Sequence, residues 1–215
     1  MHIDVYSDLV CPWCRIGKQN LSRAIELWKA AGGGPVSIAY RAFQLDPQLP
    51  PEGRPFAESM AVKMGSEEGV RRATGQVTEA GAAVGVTFRY DRVTRMPNTK
   101  LAHRLIKLLP AAQQAAAVDA LFRAYFEEGQ DIARLDAIEA ATAAIGPEAA
   151  AAIARLRTDD AAGEAEVDAE LEQAARIGVT GVPFFVFNNR FALSGAYPAE
   201  ELAGLMNKVG EAPAQ

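Results

Sequence analysis

Residues 2–14 read HIDVYSDLVCPWC, and the fold turns on how this stretch is arranged. Residues 2–6 alternate, with Ile3 and Val5 apolar, which predicts a short first strand. Behind it, Pro12 suits the first position of a helix, where its missing N–H costs nothing. Trp13, Ile16, Leu21, Ala24, Ile25 and Trp28 line one side of a helix predicted over 12–31, and Gly32, Gly33, Gly34 and Pro35 stop it. Cys11 is then the N-cap. Its sulfur is placed to accept from the free N–H groups of Trp13 and Cys14, and the positive helix end favours a thiolate there. Thiols so placed ionise at about 3.5–7.5, against about 8.5 for a free cysteine. Cys14 lies one turn later, within reach of a small disulfide but deeper against the helix. Cys11 is expected to be the nucleophile and Cys14 the resolving thiol.

Further along, residues 36–43 (VSIAYRAF) alternate again and predict a second strand, parallel to the first because a helix connects them. Pro47, Pro50, Pro51 and Pro55 then mark a linker. From about 56 to 177 the composition is helical, with helices predicted over 56–64, 67–84, 99–109, 113–127, 134–144 and 147–157 and a last one ending at 177. Strand character returns at 182–187, Asn188-Asn189 makes a turn, 190–193 pairs back, and 198–209 closes the chain as a helix. The order β-α-β, helices, β-β-α predicts an α/β protein. It resembles the thioredoxin-fold topology with an inserted all-helical domain: a thioredoxin-like domain from 1–48 plus 165–215, and a helical insertion over 49–164.

Composition narrows the function classes. Lysine and arginine number 22 against 27 acidic residues, a net charge of −5, and no basic cluster tracks the chain. Binding to a nucleic-acid backbone is therefore excluded as the main activity. No apolar run is long enough to span a bilayer, so no membrane partner is expected. Two cysteines are too few to staple a secreted fold. The N-terminus lacks a basic region followed by a long apolar core, so the expected compartment is the reducing cytosol.

The Cys11-Pro12-Trp13-Cys14 motif has two competing readings, half of a zinc site or a pair of inert core cysteines. Zinc needs two further ligands, and the only histidines are His2 and His103. The placement after a strand and at a helix start favours redox chemistry. A second segment, Gly178-Val179-Thr180-Gly181-Val182-Pro183-Phe184, puts a proline at a strand opening, which by itself is simply where a strand begins. In a thioredoxin topology this position belongs to a cis-proline facing the cysteines. Val182-Pro183 is accordingly read as cis, with the Val182 backbone free to pair with an extended substrate.

The ordered set of motifs resembles the DsbA family of thioredoxin-fold oxidoreductases, and within it the cytosolic FrnE-like branch related to 2-hydroxychromene-2-carboxylate isomerases. The matching pieces are Ser7-Asp8-Leu9-Val10-Cys11-Pro12-Trp13-Cys14, Phe43-Gln44-Leu45-Asp46-Pro47, Asn98-Thr99 with Ala102-His103-Arg104-Leu105, the run 178–185, and Ser194-Gly195-Ala196. The resemblance implies thiol–disulfide exchange at Cys11 and Cys14 and a cis-proline at Pro183. It also places Pro12, Trp13, Val182, His103 and Asn98 around the substrate. The chain departs from the isomerases and kappa-class glutathione transferases, which usually carry serine for the first cysteine. It also lacks, at Ser194-Gly195-Ala196-Tyr197, the Ser-Asp pair with which glutathione-binding relatives hold the glutamyl end. It ends without the second cysteine pair that some FrnE-like proteins carry.

Three residues keep two readings. On the helix predicted over 99–109, Leu101, Leu105, Leu108 and Leu109 form the apolar side, while Lys100, His103, Arg104 and Lys107 share the other. Spacing alone gives His103 to solvent, whereas the resemblance makes this helix a roof over the active site. Asn98 or Thr99 caps the same helix after Pro97. Asp8 either relays protons to Cys14 or bonds the turn. The expected function is a dithiol–disulfide oxidoreductase acting on protein or small-molecule disulfides and dithiols. No tightly bound cofactor is expected, with glutathione or thioredoxin as redox exchange partners, and the exposed helical lobe is compatible with a homodimer. A glutathione-dependent isomerase or transferase and a non-catalytic binding module are the alternatives.

Overall fold

The computed structural model describes residues 1–211. Residues His2–Ser7 form β1, Pro12–Ala30 form α1 and Ser37–Ala42 form β2. A short ribbon, β3 (Arg54–Pro55) paired with β4 (Arg95–Met96), brackets α2 (Phe56–Met64) and α3 (Glu67–Ala82). Five helices follow: α4 (Lys100–Leu108), α5 (Ala111–Phe126), α6 (Leu135–Thr142), α7 (Pro147–Thr158) and α8 (Glu164–Arg176). The chain then returns to β5 (Phe184–Phe187), β6 (Phe191–Ser194) and α9 (Ala199–Glu211). The four-stranded sheet has the order β2-β1-β5-β6, with β1 parallel to β2 and the other pairs antiparallel. This is the thioredoxin-like α/β arrangement with helices between β2 and β5.

The period-2 alternation of β1 explains why the sheet is covered on both faces. Ile3 and Val5 pair with Phe187 and Phe185 and join Leu21, Ala24, Leu202 and Met206 in the main core under α1 and α9. On the opposite face Tyr6 pairs with Phe184 and is closed over by Ala174 of α8 and Val179. The main core is continuous. It runs from the sheet through Cys11, Cys14 and Ile16 of the α1 region into Phe122 and Phe126 of α5. Polar ties follow the same route: Lys18 Nζ is 2.6 Å from Asp119 Oδ1, and Lys107 Nζ on α4 is 2.9 Å from Glu170 Oε1 on α8. Glu170 also takes Arg41 of β2 at 3.0 Å.

Three local outcomes differ from the sequence reading. The strand expected from 182 begins at Phe184, because Pro183 has no N–H to give to a ladder. The β3–β4 ribbon was not foreseen; each strand holds only two residues, too few for a periodic signal. The helix expected over 134–144 ends at Thr142 and tightens into a 3₁₀ turn. At the expected β-turn, Asn188 and Asn189 adopt φ of 49° and 54°, the left-handed conformation that asparagine tolerates and a tight hairpin needs. No helix among the described residues is long and apolar enough to cross a membrane.

Candidate active site

The β1–α1 junction delivers both thiols. Cys11 N–H donates to Asp8 O at 3.0 Å, closing the turn that ends the strand. Cys11 O accepts from Cys14 N and Arg15 N at 3.1 and 3.4 Å, which starts the helix, and Pro12 fills its first turn. The backbone of Cys11 is extended, as an N-cap requires, but its sulfur makes no capping hydrogen bond. The expected acceptance from Trp13 and Cys14 N–H is therefore corrected. Cys11 and Cys14 are both free thiols, and a thiol donates: Cys11 Sγ–H points across to Val182 O at 3.5 Å. Cys11 and Cys14 are 4% and 2% exposed, while Trp13 between them is 39% exposed. Trp13 rims an open groove of about 550 Å³ with Ile16, Ala80, Val84, Ala196 and Pro198.

The segment before β5 closes the other side. The Val182–Pro183 peptide bond is cis. Gly17, one turn beyond Cys14, lies directly against this proline, so close that a Cβ there would stand 2.8 Å from Pro183 Cγ. The thiol helix and the 182–183 segment thus form one packed unit.

Burial pushes the Cys14 thiol well above its ordinary range, and the neighbouring Cys11 adds to this, while the Asp8 backbone and the Ser7 side chain oppose it. A raised thiol pKa means a neutral, unreactive group at physiological pH. In a Cys11→Ala protein, where burial persists, iodoacetamide should leave Cys14 largely unmodified at neutral pH and react appreciably only in alkaline solution. Alkylation rate against pH, followed by mass spectrometry, checks this; a Cys14 midpoint near neutrality contradicts it.

Asp8 is 1% exposed. Its Oδ2 accepts from Leu45 N at 2.7 Å, while Oδ1 has no hydrogen-bond partner among the described residues. His103 faces it, with Nε2 3.8 Å from Asp8 Oδ1 and 3.1 Å from Phe43 O. Spacing assigned His103 to solvent, yet it is 3% exposed. The polar side of α4 is covered because the helix packs on α8, where Lys107 is drawn to Glu170, and because Lys107 and His103 reach the backbone carbonyls of Tyr40 and Phe43. Asn98 is engaged as well: Oδ1 accepts from Gln44 Nε2 and Lys100 N, each at 3.0 Å, and Nδ2 donates to Leu49 O at 2.7 Å. Thr99 is the N-cap of α4 without a side-chain capping bond, and Asn98 just before it satisfies the first helical N–H. Pro12, Trp13 and Val182 surround the sulfurs, whereas His103 and Asn98 bond within the protein behind them.

Sequence reading passed over an aromatic wall beside Cys11. Tyr90 stacks on Phe88 at 5.8 Å and meets Phe126 edge-on at 6.1 Å. Burial raises the Tyr90 phenol strongly, nearby Cys11 adds to this, and Arg15 opposes it. Arg15, next to Cys14, holds the wall's loop by donating to Thr87 O at 2.7 Å and pairing with Glu127. The alternating Phe88-Arg89-Tyr90 was the available signal. Among the described residues no group of three or more His, Cys, Asp or Glu side chains is arranged to hold a metal ion.

Known proteins share this fold. The model of the DSBA-like thioredoxin domain matches residues 2–207. A probable DsbA oxidoreductase of Streptomyces coelicolor superposes with a TM-score of 0.88 at 30% identity, covering 100% of this chain and 92% of that one. The cytosolic disulfide reductase DsbM of Pseudomonas aeruginosa, in its structure with glutathione, shares the fold at a TM-score of 0.69 and 16% identity, over 97% of this chain and 98% of its own. So does a 2-hydroxychromene-2-carboxylate isomerase, at 0.70 and 18%, over 97% and 96%. A Bacillus subtilis protein, YwbO, is 25% identical over 159 residues, 74% of this chain and 72% of its own length. The match runs from the first strand into the last helix and takes in the thiol-bearing junction, and the chain belongs to the DsbA-like thioredoxin-domain family of thiol oxidoreductases.

Proposed function

We propose that this protein is a dithiol–disulfide oxidoreductase using Cys11 and Cys14 on protein or small-molecule disulfides. The observation that carries the reading is the asymmetry of the pair. Both thiols are buried, but Cys11 Sγ lies against the Val182 carbonyl next to the exposed Trp13, while burial strongly raises the Cys14 thiol. The Cys11 thiolate attacks a substrate disulfide and the first substrate sulfur leaves as a thiol, giving a mixed disulfide. Val182 and Pro183 offer a backbone edge for an extended substrate, and Pro12 and Trp13 line its approach. Cys14 then loses its proton to Asp8 and attacks Cys11 Sγ. The Cys11–Cys14 bond forms, the mixed disulfide breaks, and the second substrate thiol departs. Run backwards, the same steps oxidise a dithiol.

No tightly bound cofactor is needed, and glutathione or thioredoxin in the cytosol restores the resting state. In this reading the thioredoxin-like part, 1–48 plus 165–215, carries the chemistry, and the helical insertion, 49–164, supplies Tyr90, Asn98 and His103 behind it. Residues 212–215 of that first part lie outside the described residues. Insulin-disulfide reduction measured beside glutathione conjugation tests the proposal. Insulin reduction without conjugation is expected. Conjugation or isomerisation without net redox assigns the protein to the glutathione-dependent class, and inactivity in both assays leaves a binding module.

A further inference from the structure

We propose that His103 is a positioning residue for the resolving half-reaction: its Nε2–H passes between the Phe43 carbonyl and the Asp8 carboxylate, and so keeps Asp8 ready to receive the Cys14 proton. The proposal rests on the thiol–disulfide reading above and names a residue that this reading leaves idle.

A carbonyl oxygen only accepts, so the 3.1 Å contact with Phe43 O fixes a hydrogen on His103 Nε2. The same nitrogen stands 3.8 Å from Asp8 Oδ1, beyond hydrogen-bond range, and Oδ1 has no hydrogen-bond partner among the described residues. Both side chains are nearly sealed, at 3% and 1% exposure. An ionised carboxylate oxygen buried without a donor is costly. A movement of about 1 Å turns the 3.8 Å approach into a charge-assisted hydrogen bond of ordinary length.

The cations of α4 are engaged elsewhere. Lys100 is held by Glu164 and Asp168 at 2.7 and 2.9 Å, Arg104 by Ala162 O at 2.6 Å, and Lys107 by Glu170 at 2.9 Å. From α5, Tyr125 also faces Asp8; burial, then Tyr90, Asp8 and Asp131, keep its phenol neutral. The Cys14 thiol itself meets Asp8 through the Asp8 backbone, beside the Ser7 side chain of β1 and Cys11 at the helix cap.

The cycle balances. With Asp8 ionised, His103 donates to Oδ1. When the Cys14 S–H bond breaks, the proton goes to Oδ1 and His103 returns to Phe43 O. The sulfur's electron pair makes the Cys11–Cys14 bond, and the pair of the broken mixed disulfide leaves with the substrate thiolate. The proton then passes to that thiolate or to water. The imidazole donates in both positions and neither gains nor loses a proton.

Ellman's reagent tests this, because it releases one coloured thiolate when Cys11 attacks and a second when Cys14 resolves. His103→Leu is expected to leave the first phase nearly unchanged, to slow the second about tenfold at neutral pH, and to move its pH profile upward. His103→Gln, which keeps an N–H donor, is expected to recover most of the second phase. If His103→Leu does not fold, His103→Asn, too short to reach Asp8, must show the same selective slowing. A folded His103→Leu protein with a wild-type second phase and pH profile overturns the proposal. So does equal slowing of both phases without rescue by His103→Gln. Release by the wild type that is insensitive to Cys11→Ala overturns instead the function reading on which the proposal rests.

Discussion

Cys14→Ala is expected to accumulate a substrate-linked mixed disulfide on Cys11, whereas Cys11→Ala forms none, and each variant loses insulin reduction by on the order of 10³-fold. The asymmetry follows from placement. Cys11 ends the β1–α1 loop next to Val182 O and the exposed Trp13, and Cys14 is enclosed with its proton held tightly by burial. Without Cys14 nothing inside the protein completes the exchange, so the intermediate persists. Without Cys11 the remaining thiol is protonated and out of reach. A non-reducing gel with mass spectrometry of the adduct reads this directly. Equal trapping by both variants dissolves the assigned roles.

Gly17→Ala is the second large effect, acting at a distance from the sulfurs. Alanine in a helix gains up to about 1 kcal/mol over glycine. At this position, however, the new Cβ stands 2.8 Å from Pro183 Cγ, 3.3 Å from Pro183 Cβ and 3.4 Å from Phe185 Cζ. A pyrrolidine ring cannot swing aside, so overpacking at about 1–3 kcal/mol exceeds the gain. For a protein of this size each net kcal/mol lost should lower the melting temperature by about 2–4 °C. Insulin turnover should fall with it, since the proline cannot yield without carrying Val182 O away from Cys11. Gly75→Ala on α3 is the control. A Cβ there meets nothing within 4 Å, so that variant keeps the helical gain and should melt no lower than the wild type. A Gly17→Ala protein as stable and active as Gly75→Ala shows that α1 and Pro183 are not tightly packed.

Much of the site's scaffold was legible because it is local. Alternation in residues 2–6, a proline at the first helical position and the triple glycine after α1 each act over a few residues. The pair of asparagines before β6 is as local, since the turn asks only that its own two residues accept positive φ. Spacing alone misplaced His103 in solvent for the opposite reason. A helical period sorts polar from apolar, but it does not say whether the polar side meets water or a carbonyl 60 residues earlier in the chain. The ribbon of β3 and β4 is too short to have a period, and Tyr90 lies in a loop where no period applies.

The sequence by itself determined the element order, the place of the two cysteines between a strand and a helix, and hence the class of chemistry. These depend on spacing, propensity and chain-local geometry. Only the tertiary structure decided where the Cys11 sulfur points, for its partner is Val182 O, 171 positions away. It alone raised the Cys14 thiol, because that shift comes first from burial, which belongs to the assembled core and not to any segment. It alone set Asp8 Oδ1 within 3.8 Å of His103, joining a residue of the thiol loop to one on α4. Local interactions are written into neighbouring residues, whereas burial and long-range contact exist only once β1, α1, α4 and the 182–183 segment have packed together.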